Sequence, residues 1–537
     1  MKVIKIKRAL LSVADKTGIV KLAKVLKEFD CEIISTGGTK AVLEDAGISV
    51  TDISVVTGNS EAFAGRMKTL SFNIGSALLF DREKDWKEAE ELAIDPIDLV
   101  VCNLYPFAAV KQKGAELPEL IENIDIGGPT MIRAGAKNYK YVAVVTDIAD
   151  YRNIIAELKI NKGSLSLETR WELMRKTFNY TADYDSLIAS TMDELAGSRS
   201  LRFHFRMGKK LRYGENSHQE GYLFRETGAE NSLYDMKVLH GKEISYNNMA
   251  DIHSAIEAVH DLKNQGCAII KHNNPCGLAE GRDQREVFAN AWAGDPVSAY
   301  GSIIAFNKPV SKATAEFLQL DNKIRTLRKF VEVIVAPGFS AAALDYLFKH
   351  KNLRIIEFDS QNYKPGSEQK KITGALLVQS CDNKLYDKLE SVTEIGFTIE
   401  KDIDLIEFGI NTVKQIRSNA IVIVRRTKDG GCHLLGMGAG QPNRIVSTKL
   451  AIEKAVENLT RDYNGTDLTK YTAKEIAASI LVSDAFFPFA DNVELAGNAG
   501  IRKIIQPGGS IRDKAVIKKC DELGIAMLFT GIRHFKH

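Results

Sequence analysis

The sequence predicts a chain of two α/β domains, the first built on a parallel sheet, and three observations carry the prediction. At 537 residues the chain exceeds the size at which a single hydrophobic core stops growing. Roughly its first 150 residues alternate short apolar runs with helix-period segments, as parallel strands with helices on both faces do. Residues 165–196 then read as one long helix without a strand partner, followed by the basic, irregular SRSLRFHFRMGKK. A boundary therefore falls near Gly197 and divides the chain into 1–197 and 198–537.

Within the first domain ALLSV opens a strand, and Ile19, Val20, Ala23, Val25 and Leu26 mark one side of the helix after it. EIIS is the next strand and ends on a GGT turn. SALLF reads as another short apolar run, followed by a charged helix over 84–92, and IDLVVCNLY and YVAVVTD complete the set. In the second domain CAIIKH, SIIAFN, VEVIVAP, AIVIVRR, SILVSDAFF and AMLFTG are strand-like, separated by helical patterns such as 311–320 and 513–523. The length admits two similar halves, but no repeat shows at the level of residues.

Composition narrows the function. Lys and Arg number 72 against 69 Asp and Glu, a net charge of +3 that recommends neither nucleic acid nor an anionic membrane as a partner. The opening MKVIKIKRALLSVADK ends its apolar stretch at Asp15 and lacks a small-residue cleavage pattern, so it does not read as a signal peptide. The apolar stretch 477–490 is broken by Asp484 and Pro488, far short of a membrane span. A soluble, cytoplasmic protein is expected. The seven cysteines include no CxxC pair and read as free core thiols.

Several motifs place chemistry at strand ends. SVADKTG around Lys16 and the STGGT turn of Ser35 to Thr39 stand where strands pass into helices, where free amides and glycines hold anions, although a GGT turn is also an ordinary connection. GRMKTL brings Arg66, Lys68 and Thr69 together, and NLYPF sets Asn103 and Tyr105 at the carboxyl end of a buried strand. In IDIGGPTMIRAGAKN, Asp125 precedes a glycine pair and Lys137 ends the helix it opens, where a lysine is equally a plain helix-end cation. RYGENSHQ packs Arg212, Tyr213, Glu215, Asn216 and His218 into a stretch without apolar period, as a surface loop does. CAIIKHNNPCG is the best catalytic candidate: an apolar strand ends on Lys271 beside His272, and like-charge repulsion favours the neutral imidazole. Ser418 and Asn419 precede a strand, GMGAGQPNR carries Arg444 but fails the GxGxxG spacing, and SDAFFPFADN surrounds Phe486, Phe487 and Asp491.

Taken together, KTL, NLYPF, DIGGPTMIR, AKN, RYGEN, KHNNPCG, SAYGS, GAGQ and SDAFFPFADN, in this order from Ser12 to His537, resemble the family of bifunctional aminoimidazole carboxamide ribonucleotide (AICAR) transformylase and inosine monophosphate (IMP) cyclohydrolase. The resemblance implies a methylglyoxal-synthase-like first domain, then a pair of cytidine-deaminase-like modules whose transformylase site lies at a homodimer interface. It implies cyclohydrolase residues at Lys16, Thr36, Gly37, Gly38, Thr39, Arg66, Lys68, Thr69, Cys102, Asn103, Tyr105, Asp125, Ile126 and Lys137. It implies transformylase residues at Arg212, Tyr213, Lys271, His272, Gly301, Glu332, Asn419, Arg444, Phe486, Asp491, Ser510, Ile511 and Arg533. The cosubstrate would be 10-formyltetrahydrofolate, with no zinc and with room for a monovalent cation such as potassium.

The resemblance also suggests roles. His272 would take the amine proton while Lys271 and Asn419 stabilise the tetrahedral intermediate, Arg212 and Arg533 hold phosphate, and Phe486 borders the folate ring. In ring closure a partly buried Lys137 would act with Asp125, Tyr105 and Lys68. One departure stands out: after Leu70 the family continues with His-Pro and another His, whereas Ser71, Phe72, Gly75, Ser76 and Ala77 follow here, so a transformylase with impaired cyclohydrolase is one alternative. Ser217 replacing a proline is minor. A zinc deaminase would need HxE and PCxxC, but Asn274 and Ala279 occupy the decisive places. A non-catalytic nucleotide sensor is the remaining rival.

Overall fold

The computed structural model describes residues 3–63, 66–364 and 366–537. Two compact units divide the chain, Met1–His204 and Phe205–His537.

The first unit is built on a five-stranded parallel sheet. Its strands are β1 (Arg8–Leu11), β2 (Glu32–Ser35), β3 (Thr51–Asp52), β4 (Leu99–Val101) and β5 (Ala143–Val145), in the order β3-β2-β1-β4-β5. Helices cover both faces, so β1 and β4 read as continuous apolar runs. Helix α1 (Ile19–Glu28) buries Ile19, Leu22, Ala23, Val25 and Leu26, close to the expected stripe. GGT is not a separate turn but the first turn of α2 (Gly37–Asp45). SALLF is not a strand either. It lies in α3 (Phe72–Leu79), whose cap Ser71 accepts the Ile74 amide and whose Ile74, Ala77 and Leu78 are buried at helical spacing. A short apolar run cannot by itself separate the two periods. The divergent segment after Leu70 thus begins this helix. Helix α4 (Gly127–Lys137) precedes β5, and the long α5 (Leu167–Leu195), capped by Ser166, closes the unit. Its wholly buried Arg170 donates to the carbonyls of Tyr139, Lys140 and Leu165.

The basic stretch after α5 is less irregular than expected, since Phe205–Lys210 pairs with Tyr222–Glu226 in an antiparallel ribbon. Beyond it the second unit carries one twelve-stranded mixed sheet. Its strands are β6 (Lys237–His240), β7 (Gln265–Lys271), β8 (Asn274–Gly281), β9 (Ser302–Phe306), β10 (Val331–Ala336), β11 (Arg354–Glu357), β12 (Glu390–Ser391), β13 (Ile421–Arg426), β14 (Cys432–Gly438), β15 (Ile480–Ser483), β16 (Lys503–Gln506) and β17 (Ala526–Phe529). Their order is β6-β11-β10-β9-β7-β8-β14-β13-β15-β16-β17-β12.

That order repeats. The hairpin β7–β8 is flanked by antiparallel β9 and then by β10 and β11, parallel to it; the hairpin β13–β14 is flanked in the same way by β15, β16 and β17. Short antiparallel strands, β6 and β12, close the two edges. The halves meet where β8 pairs β14 through Ala279↔His433 and Glu280↔Cys432. Helices α6 (Tyr246–His260) and α7 (Gln284–Ala293) frame the first hairpin, and α8 (Ile399–Lys414) and α9 (Arg444–Asp462) the second. Even a backbone contact recurs: a Cβ on Gly277 would fall 1.9 Å from the Ala291 carbonyl oxygen, and one on Gly438 2.0 Å from that of Ser447. The duplication that residue identities hide is plain in the topology.

Candidate active sites

The first unit gathers most of its candidates at the carboxyl ends of its strands, the edge at which open parallel sheets bind ligands. Lys16 follows β1, Thr36 to Thr39 follow β2, and Cys102, Asn103 and Tyr105 follow β4. Thr36 precedes α2 without capping it by its side chain, which leaves the amides of Gly37 and Gly38 at a positive helix end. Those glycines admit two amines. A Cβ on Gly38 would lie 3.3 Å from Lys16 Cε, and one on Gly37 3.7 Å from Lys68 Nζ. Lys68 pairs with Glu61 at 2.9 Å, beside a cavity of about 220 Å³ lined by Thr36, Gly37, Asp52, Ser54, Glu61 and Lys68 among others.

Thr69 abuts the start of α4, its Oγ1 2.5 Å from where a Cβ on Gly127 would sit. Asp125 accepts the Gly128 amide at 2.8 Å, and its own amide donates to the Tyr184 hydroxyl at 2.9 Å. Burial pushes the Asp125 carboxyl above its ordinary range, opposed by the amides of Gly128 and Tyr105. Asn103 accepts the Asp15 amide and donates to the Asp15 carbonyl, while Tyr105 and Ile126 stand exposed.

Three residues are placed differently from the expectation. Thr39 is buried and exchanges hydrogen bonds with Val13, so its hydroxyl fastens α2 to the end of β1. Cys102 turns its side chain into the core, where burial raises the thiol pKa. Lys137 is exposed at the far end of α4, about 15 Å from Gly127 at 1.5 Å per residue. A helix that connects parallel strands must run back to where the next strand begins, so Asp125 and Lys137 occupy opposite edges of the sheet. The burial and the partnership with Asp125 expected of Lys137 are absent. Arg66 is exposed and paired with Glu122 at 2.6 Å.

In the second unit the strand directions put most candidates on one edge of the long sheet. Lys271 ends β7; Gly301 precedes β9, which runs the other way; Glu332 lies near the start of β10. Asn419 precedes β13, Arg444 follows β14, and Phe486, Ser510 and Arg533 follow β15, β16 and β17. KHNNPCG forms a hairpin corner rather than a strand followed by a PCG turn. His272 (φ 53°) and Asn273 (φ 59°) are its two left-handed residues, and Pro275, Cys276 and Gly277 lie in β8. Lys271 Nζ donates to the Tyr300 carbonyl at 2.8 Å, and His272 is exposed. Gly301, with φ 74°, donates its amide to Phe330. Glu332 accepts Asn248 at 3.2 Å and Arg354 at 3.4 Å, and Arg212 lies over the ring of Tyr213.

The second half of the sheet supplies a polar hub. Asn274 accepts the Arg417 amide at 3.2 Å, tying the corner to the segment that holds Asn419. Buried Arg444 donates to Asn419 Oδ1 at 2.7 Å, to Ser483 at 3.0 Å and to Asp484, which also accepts Ser418 Oγ at 2.6 Å and the Ala420 amide at 2.9 Å. The Arg444 guanidinium is therefore engaged by Asn419, Ser483 and Asp484 within the chain. Asn419 donates to the carbonyls of Gln441 and Pro442, so its amide orders the GAGQP loop and leaves no N–H for an oxyanion. Phe487 is core, Phe486 is partly open, and Asp491, Ile511 and Arg533 are exposed.

Comparison with known proteins identifies the family. The AICARFT/IMPCHase bienzyme model matches residues 135–454, more than half of the chain. The chain belongs to the AICARFT/IMPCHase bienzyme family. An MGS-like domain model matches residues 18–130, within the parallel-sheet unit. The bienzyme is 44% identical to the bifunctional purine biosynthesis protein PurH of Persephonella marina, over 99% of this chain and 100% of that protein. It is 44% identical to PurH of Clostridium botulinum strain Okra and 43% identical to that of Acetivibrio thermocellus, each over 99% of this chain and all of the relative. Sequence reasoning on this bienzyme missed Glu61, Asp251, Asp484 and His534. Asp484 was visible only as a charge interrupting an apolar run. His534, buried near the end of the chain, bonds Asp382 at 2.6 Å and the Leu385 carbonyl at 2.9 Å.

Proposed function

We propose that the second unit performs formyl transfer, that the first performs ring closure, and that two copies of the chain complete the transformylase site. The chain is an AICAR formyltransferase and IMP cyclohydrolase of purine biosynthesis, as its family membership shows. AICAR accepts a formyl group from 10-formyltetrahydrofolate, and the product closes to IMP with loss of water.

The observation that carries the transformylase reading is the β7–β8 corner, which sets an exposed imidazole beside a lysine anchored by one backbone carbonyl. The AICAR amine is a poor nucleophile because its lone pair is delocalised into the imidazole and carboxamide. His272 removes its proton, and Lys271, with N–H groups to spare, stabilises the oxyanion on the formyl carbon. Arg212 and Arg533 hold anionic groups, with Phe486, Asp491, Ser510 and Ile511 bordering the folate. The fully exposed Ile511, and a ribbon of Ser367–Ile372 with Ala375–Ser380 whose Ile372, Leu376, Leu377 and Val378 are exposed, support a homodimer. Such ribbons are marginal in water without a partner surface.

For ring closure the carboxamide nitrogen attacks the formamide carbon and water departs. The amides of Gly37 and Gly38, with Lys16 and with Arg66 released from Glu122, suit the phosphate. Lys68 supports the developing oxyanion, and Asp125, whose carboxyl burial pushes upward against the Gly128 and Tyr105 amides, is placed to pass a proton to the leaving oxygen. Lys137 has no part. Zinc chemistry is not favoured, because Cys276 is buried, donates to the Ile269 carbonyl and has its thiol pushed up to about 12. A bound potassium ion remains part of the family reading; exchange into choline salts with activity as the readout tests it. No helix among the described residues is long and apolar enough to cross a membrane, and a cytoplasmic location belongs to the same reading.

The deciding experiment supplies AICAR and 10-formyltetrahydrofolate and identifies the nucleotide product. IMP is expected. Accumulated formamido nucleotide would mean that the altered segment after Leu70 has silenced the cyclohydrolase, and tight binding without turnover would favour a sensor. His272→Ala is expected to lower formyl transfer by at least about 10²-fold while sparing closure of supplied formamido nucleotide. Loss of both activities would sink the two-site allocation.

A further inference from the structure

Two consecutive non-glycine residues, His272 and Asn273, hold left-handed backbone at the β7–β8 corner, with φ of 53° and 59°. Asparagine tolerates this region; histidine does so less readily, and glycine would adopt it freely. The corner nevertheless carries an imidazole, so something must hold the turn against its preference. Helix α6 does so from one face. Asp251 Oδ1 accepts the Asn273 amide at 2.7 Å, and the His272 amide beside it adds to the field that favours the charged carboxylate. One turn later Ser254 Oγ donates to Asn273 Oδ1 at 3.2 Å. One turn earlier Asn248 holds Glu332, a further residue of the same sheet edge.

Asp251 is only 8% exposed, and a carboxylate taken out of water without a counter-cation needs donors. Here the donor is the Asn273 backbone amide at the corner. The imidazole of His272 stays exposed, since the helix holds Asn273 and not the ring. A buried acid on an otherwise ordinary helix face is thereby accounted for.

We infer that Asp251 is the positioning residue for His272, fixing the left-handed corner from which the imidazole reaches the substrate amine; the inference rests on the transformylase reading of that corner. It adds a helix residue, remote from the motif in sequence, to the formyl-transfer machinery.

The test uses the full chain and measures the two reactions separately, formyl transfer with AICAR and 10-formyltetrahydrofolate, and ring closure with the formamido nucleotide. Asp251→Ala is expected to lower kcat for formyl transfer about 10- to 100-fold, with KM for AICAR within about 3-fold and ring closure unchanged, as slight misplacement of a catalytic group does. Adding Asn273→Gly, which relieves the demand for left-handed backbone, should then recover at least about 5-fold of the lost kcat. A merely structural acid would not show this rescue. Should Asp251→Ala fail to accumulate, Asp251→Asn, which keeps one acceptor oxygen and loses the charge, is scored by the same fall and rescue. Formyl transfer within about 3-fold of the parent, or a fall that Asn273→Gly does not relieve, overturns the inference. A dead His272→Ala beside a fully active Asp251→Ala sinks the positioning role alone; an active His272→Ala sinks the site itself.

Discussion

Lys68 stands between Glu61 and the glycine pair that starts α2, and this setting makes it the cation best placed for ring closure. Lys68→Ala should lower the ring-closure rate by about 10²- to 10³-fold, the usual effect of removing one oxyanion donor, while formyl transfer is kept. Assays with formamido nucleotide as substrate decide it, and an unimpaired variant would remove Lys68 from the chemistry. At this scale the sequence was legible where residues share a short motif, as in KTL or KHNN. It was not legible where one buried polar group acts across the fold. Asp251 sits in a helix and Asp484 after a strand, and neither has a sequence neighbour that reports its partner. Lys137 shows another limit: adjacency within AKN and DIGG does not report that a helix carries its two ends apart.

Elements were read well when their period was long, as in α1 and α5, and poorly when a run was short, as in α3. The hairpin corner was hidden because His272 and Asn273 lack the glycine that usually announces such a turn. The seam strand β14 contains His433, fully buried, whose Nε2 accepts Arg425 Nε at 2.7 Å. Burial and the Arg425 charge push its pKa down to about 3 from 6.5. Because the folded state refuses a proton that the unfolded chain accepts, this residue adds nothing above pH 6.5, and stability falls as pH drops from there toward 3. By pH 5 the loss is about 2 kcal/mol. Urea midpoints at pH 7.5 and 5 should show it, and His433→Gln should flatten the difference; an unchanged slope would place the acid sensitivity elsewhere.

For the whole molecule, the parallel sheet of the first unit followed from alternation of strand and helix signals, and its ligand edge followed from chain direction. The twelve-stranded sheet did not, because pairing between distant strands leaves no local signature. Its repeated order explains how residues from Arg212 to Arg533 reach one edge: reversing direction between hairpins turns strand starts in one half toward strand ends in the other. The two halves have also parted company. At the place held by Arg444 and Asp484 in the second, the first has Gln284, bonded to the carbonyls of Lys308 and Pro309, and Asn307, bonded to the Gly266 amide and the Leu262 and Asn264 carbonyls. Conversely, the short Lys271–His272 corner of the first half is answered in the second by a longer, glycine-bearing connection between β13 and β14. Asn307→Asp should therefore bury an uncompensated charge and cost about 3–5 kcal/mol in urea unfolding, and a neutral outcome would mean that the first half still tolerates the other's chemistry. A sheet whose order repeats lets one half carry the exposed corner and the other the buried polar hub; with the labour divided, neither half can be spared.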